Sequence, residues 1–259
     1  MPRQDDLSPL PISAQLANAP RPIVALAQEF AAGANDPVHE HVRAQLLYAC
    51  QGVMSIVTSD GSYVIPPQRA LWIPAGMRHR VTFRSDVSLR TLYVAKPDIG
   101  SSNSRVIEVS PLLRALILEA MLIPQEYDLN GRDGRIMQLI LDSIELMPTA
   151  PLSVPMPSDS RLLHICQLIF QDPAREEDLD DWARIACMSR RTLTRRFREE
   201  TGMSLASWKQ YVRLIEGVAR LAAGQPVSTV AYEVGYDSPS AFTVAFHRVF
   251  GTSPSRYVS

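Results

Sequence analysis

The sequence predicts a two-domain α+β protein: an N-terminal antiparallel β-barrel with accompanying helices, then an all-α half built on two helix-turn-helix units. Three observations predict this. Short alternating apolar stretches broken by turn signals fill residues 21 to about 97. Helical apolar spacing takes over near residue 108. In the last third, one helix is written twice.

Taken in order, residues 1–20 are rich in Pro, Ser, Asn and Ala without periodicity and read as a flexible arm. The barrel strands are expected at Ile23 to Leu26, Gln45 to Ala49, Val53 to Val57, Ala70 to Ile73, His79 to Phe83 and Leu89 to Val94. Ser59-Asp60-Gly61, Pro66-Pro67 and Pro74-Ala75-Gly76 supply turns. Helices are expected over Pro111 to Leu122 and Arg132 to Met147. In the second, Leu139, Ile140, Ile144 and Met147 form a stripe suited to the barrel or to a second subunit. These elements group residues 21–147 into one domain. Residues 148–158 hold four prolines between Pro148 and Pro157 without a charge, and read as an extended linker. Everything from residue 159 to 259 reads as helix.

With 259 residues, 46% of them hydrophobic, the chain has material for two cores. Its net charge of -1 gives no overall sign of a nucleic-acid partner, so charge must be read locally. Arg190, Arg191, Arg195, Arg196, Arg198, Lys209 and Arg213 stand against Glu199 and Glu200 in one short stretch. Cys50, Cys166 and Cys187 lie far apart and read as free thiols. With no signal pattern and no apolar run of membrane length, a soluble cytoplasmic protein without a membrane partner is expected.

The repeat carries the functional signal. Ser189 to Phe197 closes at Gly202, and Ser238 to Phe246 closes at Gly251. Each copy has a Ser N-cap, two core residues four apart (Leu193 and Phe197; Phe242 and Phe246) and a terminal glycine. Each follows a shorter amphipathic helix and a turn. In the first copy Arg191, Thr194, Arg195 and Arg198 share one face, with Arg190 beside them. Such a stripe suits the major groove, where Arg bonds guanine and Thr meets a thymine methyl. The second copy presents Ser240, Thr243, Val244 and His247 with Arg248, and should read bases less and position more. Leu205 to Leu221 would hold the two readers apart as one long helix, so that they enter successive major grooves.

Residues from about Arg161 to Ser259 resemble the DNA-binding domain of the AraC/XylS family of bacterial transcription regulators. The resemblance rests on Ser189 to Gly202, Arg213-Leu214, Val230 to Ser238, Phe242, Phe246 and Gly251-Thr252-Ser253-Pro254. It implies base contacts at Arg191, Thr194 and Arg195, and at Ser240, Thr243 and Val244. Val244 departs from the polar residue often found at its position.

A second constellation lies in the barrel. His39 and His41 alternate on one strand face, Gln45 follows, and His79 comes after a Pro-x-Gly turn. Imidazoles and an oxygen donor in this pattern could hold a divalent transition metal, zinc or nickel rather than magnesium. The pattern resembles the two cupin motifs, with Gln45 where the enzymes of that superfamily carry Glu. Tyr48 and Trp72 are candidates for the wall of an effector pocket.

The reading is a sequence-specific transcription regulator and not an enzyme. A cupin-like domain would bind a small molecule or metal ion, a tandem helix-turn-helix would bind double-stranded promoter DNA, and a homodimer is expected. The alternative is a cupin-type metalloenzyme with an appended DNA-binding module.

Overall fold

The computed structural model describes residues 19–95, 102–150 and 152–257, so the expected arm lies almost wholly outside the described residues. The chain divides into two compact units. The first holds residues 1–59 and 65–151; the second holds 60–64 and 152–259.

In the first unit, β1 (Ile23–Phe30), β8 (Val87–Val94), β3 (Ala44–Gln51), β6 (Arg69–Ile73) and β9 (Arg105–Glu108) form one antiparallel sheet in the order β1-β8-β3-β6-β9. A second antiparallel group places β7 (His79–Phe83) between β2 (Asn35–His39) and β4 (Met54–Thr58). The six expected strands are all present. Strands β2 and β9 lack a strong alternating pattern of their own, and β2 even contains Pro37. They exist because β7 and β6 offer them a ladder.

Residue alternation decides what each face of the large sheet meets. Leu46, Tyr48, Trp72 and Leu92 face one way. They pack with Leu113, Ile117 and Ala120 of α1 (Pro111–Ala120) and with Met137, Ile140 and Ile144 of α2 (Arg132–Leu146). Ser110 caps α1 by accepting from the Leu113 N–H. The stripe expected on α2 is split. Ile140 and Ile144 are buried and Met147 is half-buried, but Leu139 is 43% exposed. A helix turns by about 100° per residue, so neighbours 139 and 140 cannot share one narrow face.

The proline-rich segment is extended but does not run free. The Ala150 N–H donates to Val106 O, and Thr149 bridges Ile107, both within the first unit. In the second unit β10 (Ser153–Val154) pairs with β5 (Ser62–Ile65), and Pro155 O accepts from Trp208 Nε1 at 2.7 Å. The prolines remove donors yet leave carbonyls, and two of these are used: Pro148 O accepts from the Glu108 N–H at 3.1 Å, and Pro155 O from Trp208.

The second unit is helical: α3 (Ser160–Gln171), α4 (Leu179–Ile185), α5 (Arg190–Thr201), α6 (Leu205–Ala222), α7 (Val227–Glu233), α8 (Pro239–Phe250) and α9 (Pro254–Tyr257). Helix α6 is the axis. It buries Trp208, Val212, Ile215 and Val218, and Trp208 meets Phe170 and Phe197 edge-on at ring-centroid distances of 5.5 and 5.8 Å.

Candidate DNA-reading face and effector site

The two helix-turn-helix units are built by local rules. Asp178 caps α4 in a reciprocal box with Asp181. Ser189 caps α5 through the Thr192 N–H, and Gly202 ends that helix with left-handed φ of 74°. Ser238 and Gly251 do the same for α8. Leu193 and Phe197, then Phe242 and Phe246, are wholly buried. The turn differs between the copies: Ala186 to Ser189 in the first, Val234 to Ser238 in the second, which is one residue longer.

On α5 the expected stripe is real. Arg190, Arg191, Thr194, Arg195 and Arg198 are exposed and line one shallow concavity with Glu199. Arg195 Nη1 lies 2.9 Å from both Glu199 carboxylate oxygens, and Arg190 pairs with Asp180 at 3.2 Å. Among the described residues, Arg191 and Arg198 have no ion-pair partner. On α8, Ser240, Val244, His247 and Arg248 are exposed. Thr243 is a correction: it is half-buried, and its hydroxyl donates to Pro239 O at 2.8 Å. A threonine within a helix commonly donates its hydroxyl back to the carbonyl four residues earlier, sharing that acceptor with its own N–H. Lys209 and Arg213 also leave the basic face. Both are half-buried and donate to backbone carbonyls, Lys209 to Arg175 O and Arg213 to Pro173 O and Gly235 O.

The histidines converge. His39 and His79 are direct cross-strand partners on β2 and β7, and Gln45 and Tyr93 are partners on β3 and β8. His41 lies just beyond β2 instead of on it, yet its Nε2 is 3.1 Å from His39 Nε2. The ligand atoms of His39, His41 and His79 all lie within 4.8 Å of one another. His39 Nδ1 and His79 Nδ1 donate to Pro37 O at 2.7 Å and Met77 O at 2.9 Å, which leaves each Nε2 as a lone pair. Burial holds His41 and His79 neutral, lowering each to about 4, with the neighbouring His39 adding to the effect. Asp36 Oδ1 stands 3.5 Å from His39 Nδ1. Gln45 Nε2 donates to the Tyr93 hydroxyl at 3.2 Å. Burial pushes that phenol up to about 12, so it stays protonated.

Two polar atoms here are buried without a hydrogen-bond partner: His79 Nε2 and Gln45 Oε1. Both belong to a cavity of about 40 Å³ between the sheets, whose other wall is apolar, with Leu26, Phe30, Leu47, Val81, Phe83 and Leu89. Tyr48 and Trp72 do not line it. They point to the opposite face of the same sheet, since Gln45 and Leu47 take the cavity side and residues 46 and 48 alternate away. Asp36 and Tyr93 are site residues that the sequence reading missed. The signal for Asp36 was its position three before His39; Tyr93 needed the strand register.

Two helix-turn-helix motifs in one compact unit and a histidine-lined cavity in the other fit a DNA-binding transcription regulator with a ligand-binding domain. Comparison with known proteins agrees. Residues 28–166 match the family described as the AraC-like ligand binding domain, and residues 182–259 match a helix-turn-helix domain. The chain is 30% identical over 224 residues to the HTH-type transcriptional regulator NimR of Escherichia coli, covering 86% of this chain and 82% of that one. It is also 30% identical over 122 residues to the arabinose operon regulatory protein of Escherichia coli, covering 46% of this chain and 41% of the other. Among solved structures, ToxT from Vibrio cholerae aligns over 92% of this chain and 97% of that one, at 14% identity and a TM-score of 0.40. The chain belongs to the AraC family of transcription regulators.

Proposed function

We propose that this regulator acts on promoter DNA in the bacterial cytoplasm and takes a divalent transition metal ion as its effector. His39, His41, His79 and Gln45 would hold the ion. The observation that carries this reading is the pair of unpartnered buried acceptors, His79 Nε2 and Gln45 Oε1, beside two imidazole nitrogens 3.1 Å apart. Buried acceptors without donors are costly, and a cation would satisfy all of them at once. Ligand nitrogens around a tetrahedral zinc stand about 3.3 Å apart, close to the spacing of His39 and His41. A neutral amide with three imidazoles favours zinc or nickel over magnesium. The Asp36 carboxylate and the Pro37 and Met77 carbonyls fit the outer partners that orient such ligands.

A small organic effector is the second reading, favoured by the apolar wall. Size supports the ion. About 40 Å³ accommodates roughly three waters, whereas pockets for organic ligands run to about 300 Å³ or more. Elemental analysis of the purified full chain tests the reading. We expect about one zinc or nickel per chain, lost in the His39→Ala/His41→Ala double variant. A metal-free wild type that stays metal-free after incubation with either ion would leave the organic effector.

The reading includes a homodimer. Its support is the outward apolar row on α2, Leu139 and Leu146, seven residues apart and both exposed. Replacing both with Asp should turn a dimer into a monomer in sedimentation equilibrium. A monomeric wild type contradicts this part.

A further inference from the structure

We propose that Arg213 is a positioning residue that fixes the spacing of the two reading units on DNA. It sits on α6, the helix that joins them. Its Nε donates to Pro173 O at 2.8 Å and its Nη1 donates to Gly235 O at 2.8 Å. Its Nη2 makes longer bonds, 3.4 Å each, to Ala174 O and Arg175 O. Pro173 to Arg175 lie in the loop that delivers α4, the first helix of the first unit. Gly235 lies in the turn of the second unit, between α7 and α8. One planar guanidinium is therefore bonded to the backbone of both units from the helix between them.

The second reading unit approaches the guanidinium so closely that only glycine fits at this point. Gly235 has φ of +85°, and a Cβ there would stand 2.7 Å from Arg213 Nη2 and 2.9 Å from Ala174 Cα. The turn of one unit, the loop of the other and the guanidinium plane are thus in contact. Lys209, one turn earlier on α6, reaches Arg175 O and so tethers the first unit alone. An ammonium at position 213 could not replace the guanidinium, because it lacks the flat fork that reaches carbonyls on two sides.

The consequence concerns how two readers add. Once α5 is seated in one groove, α8 meets the next as an intramolecular partner, and the gain depends on whether the link holds it at the right distance. A locked link favours one separation of half-sites; a loosened one accepts several and gains less from each. Arg213 then governs spacing selectivity without touching DNA.

The test uses the full chain and an operator selected in vitro with the wild type, then variants of that operator with the half-sites moved by one or two base pairs. We expect the wild type to prefer its own spacing by at least about tenfold. Arg213→Ala and Arg213→Lys should each weaken binding at that spacing by about tenfold and flatten the preference, with the salt dependence unchanged. Gly235→Ala, which pushes on the guanidinium, should flatten it too. If Arg213→Ala fails to fold by circular dichroism, Arg213→Lys, which keeps charge and bulk, decides the matter. Wild-type spacing selectivity in the lysine variant would overturn the proposal. So would equal weakening at every spacing with a salt slope reduced by about one, the mark of a lost phosphate contact.

Discussion

The guanidinium of Arg195 is already held before DNA arrives, by both oxygens of Glu199 one turn along α5. Such an exposed pair is worth little by itself, so guanine can replace it at small cost. The pairing also narrows the rotamers of a long side chain and keeps it over the face shared with Arg191 and Thr194. Arg195→Ala should therefore cost about 1–3 kcal/mol on the specific site and relax base preference there. Equal loss on specific and random DNA, measured by fluorescence anisotropy, would reduce Arg195 to a phosphate contact. The second reader presents an exposed Val244 where the first has Arg195's neighbourhood of charge, and the Thr243 hydroxyl is occupied by its own helix. Its half-site should tolerate base changes better than the first and retain at most a preference for thymine, whose methyl suits an apolar side chain. Binding-site selection that returns equal or greater information at the second half-site contradicts this.

Elements were legible in the sequence wherever their causes are local. Helices α5 and α8 carry their caps, buried pairs and closing glycines within fourteen residues each, Ser189 to Gly202 and Ser238 to Gly251, so pattern alone located them. Strands β2 and β9 draw their existence from partners distant in sequence, and no window on Asn35–His39 or Arg105–Glu108 reveals that. The site follows the same division. Its histidines were visible as spacing, but Asp36 and Tyr93 join it only through strand register, and Tyr48 and Trp72 leave it for the same reason. One element carries a pH prediction. Asp159 caps α3, bonds the Arg161 side chain and N–H, and reaches Arg196 on α5 at 2.9 Å. These bonds, the Arg161 side chain first, hold its carboxyl well below the ordinary carboxylate range. A depressed carboxyl contributes stability that is complete above its unfolded value of about 3.9 and is lost as pH falls toward its folded value. Asp159→Asn should lower the urea midpoint of the helical half at neutral pH, and the gap to wild type should narrow as pH drops below about 4. A gap that stays constant through acid would show that the carboxylate charge is not the source.

In the whole molecule the helix-turn-helix domain and the ligand-binding domain fall in different parts of the chain, so the effector site and the DNA face should be separable by mutation yet linked in function. Linkage requires that a ligand of one site change the free energy of the other, and the change is reciprocal. The histidine cluster is the place where that ligand is expected, because burial holds His41 and His79 neutral and two buried acceptors, His79 Nε2 and Gln45 Oε1, lack partners. The most direct measurement is the affinity of the full chain for its selected operator, by fluorescence anisotropy, titrated with zinc and with nickel in wild type and in His39→Ala/His41→Ala. We expect one of the two ions to shift the wild-type affinity by about fivefold or more in either direction, while the double variant still binds the operator and ignores the metal. Wild-type and variant curves that do not move with either ion, or that move together, would contradict it.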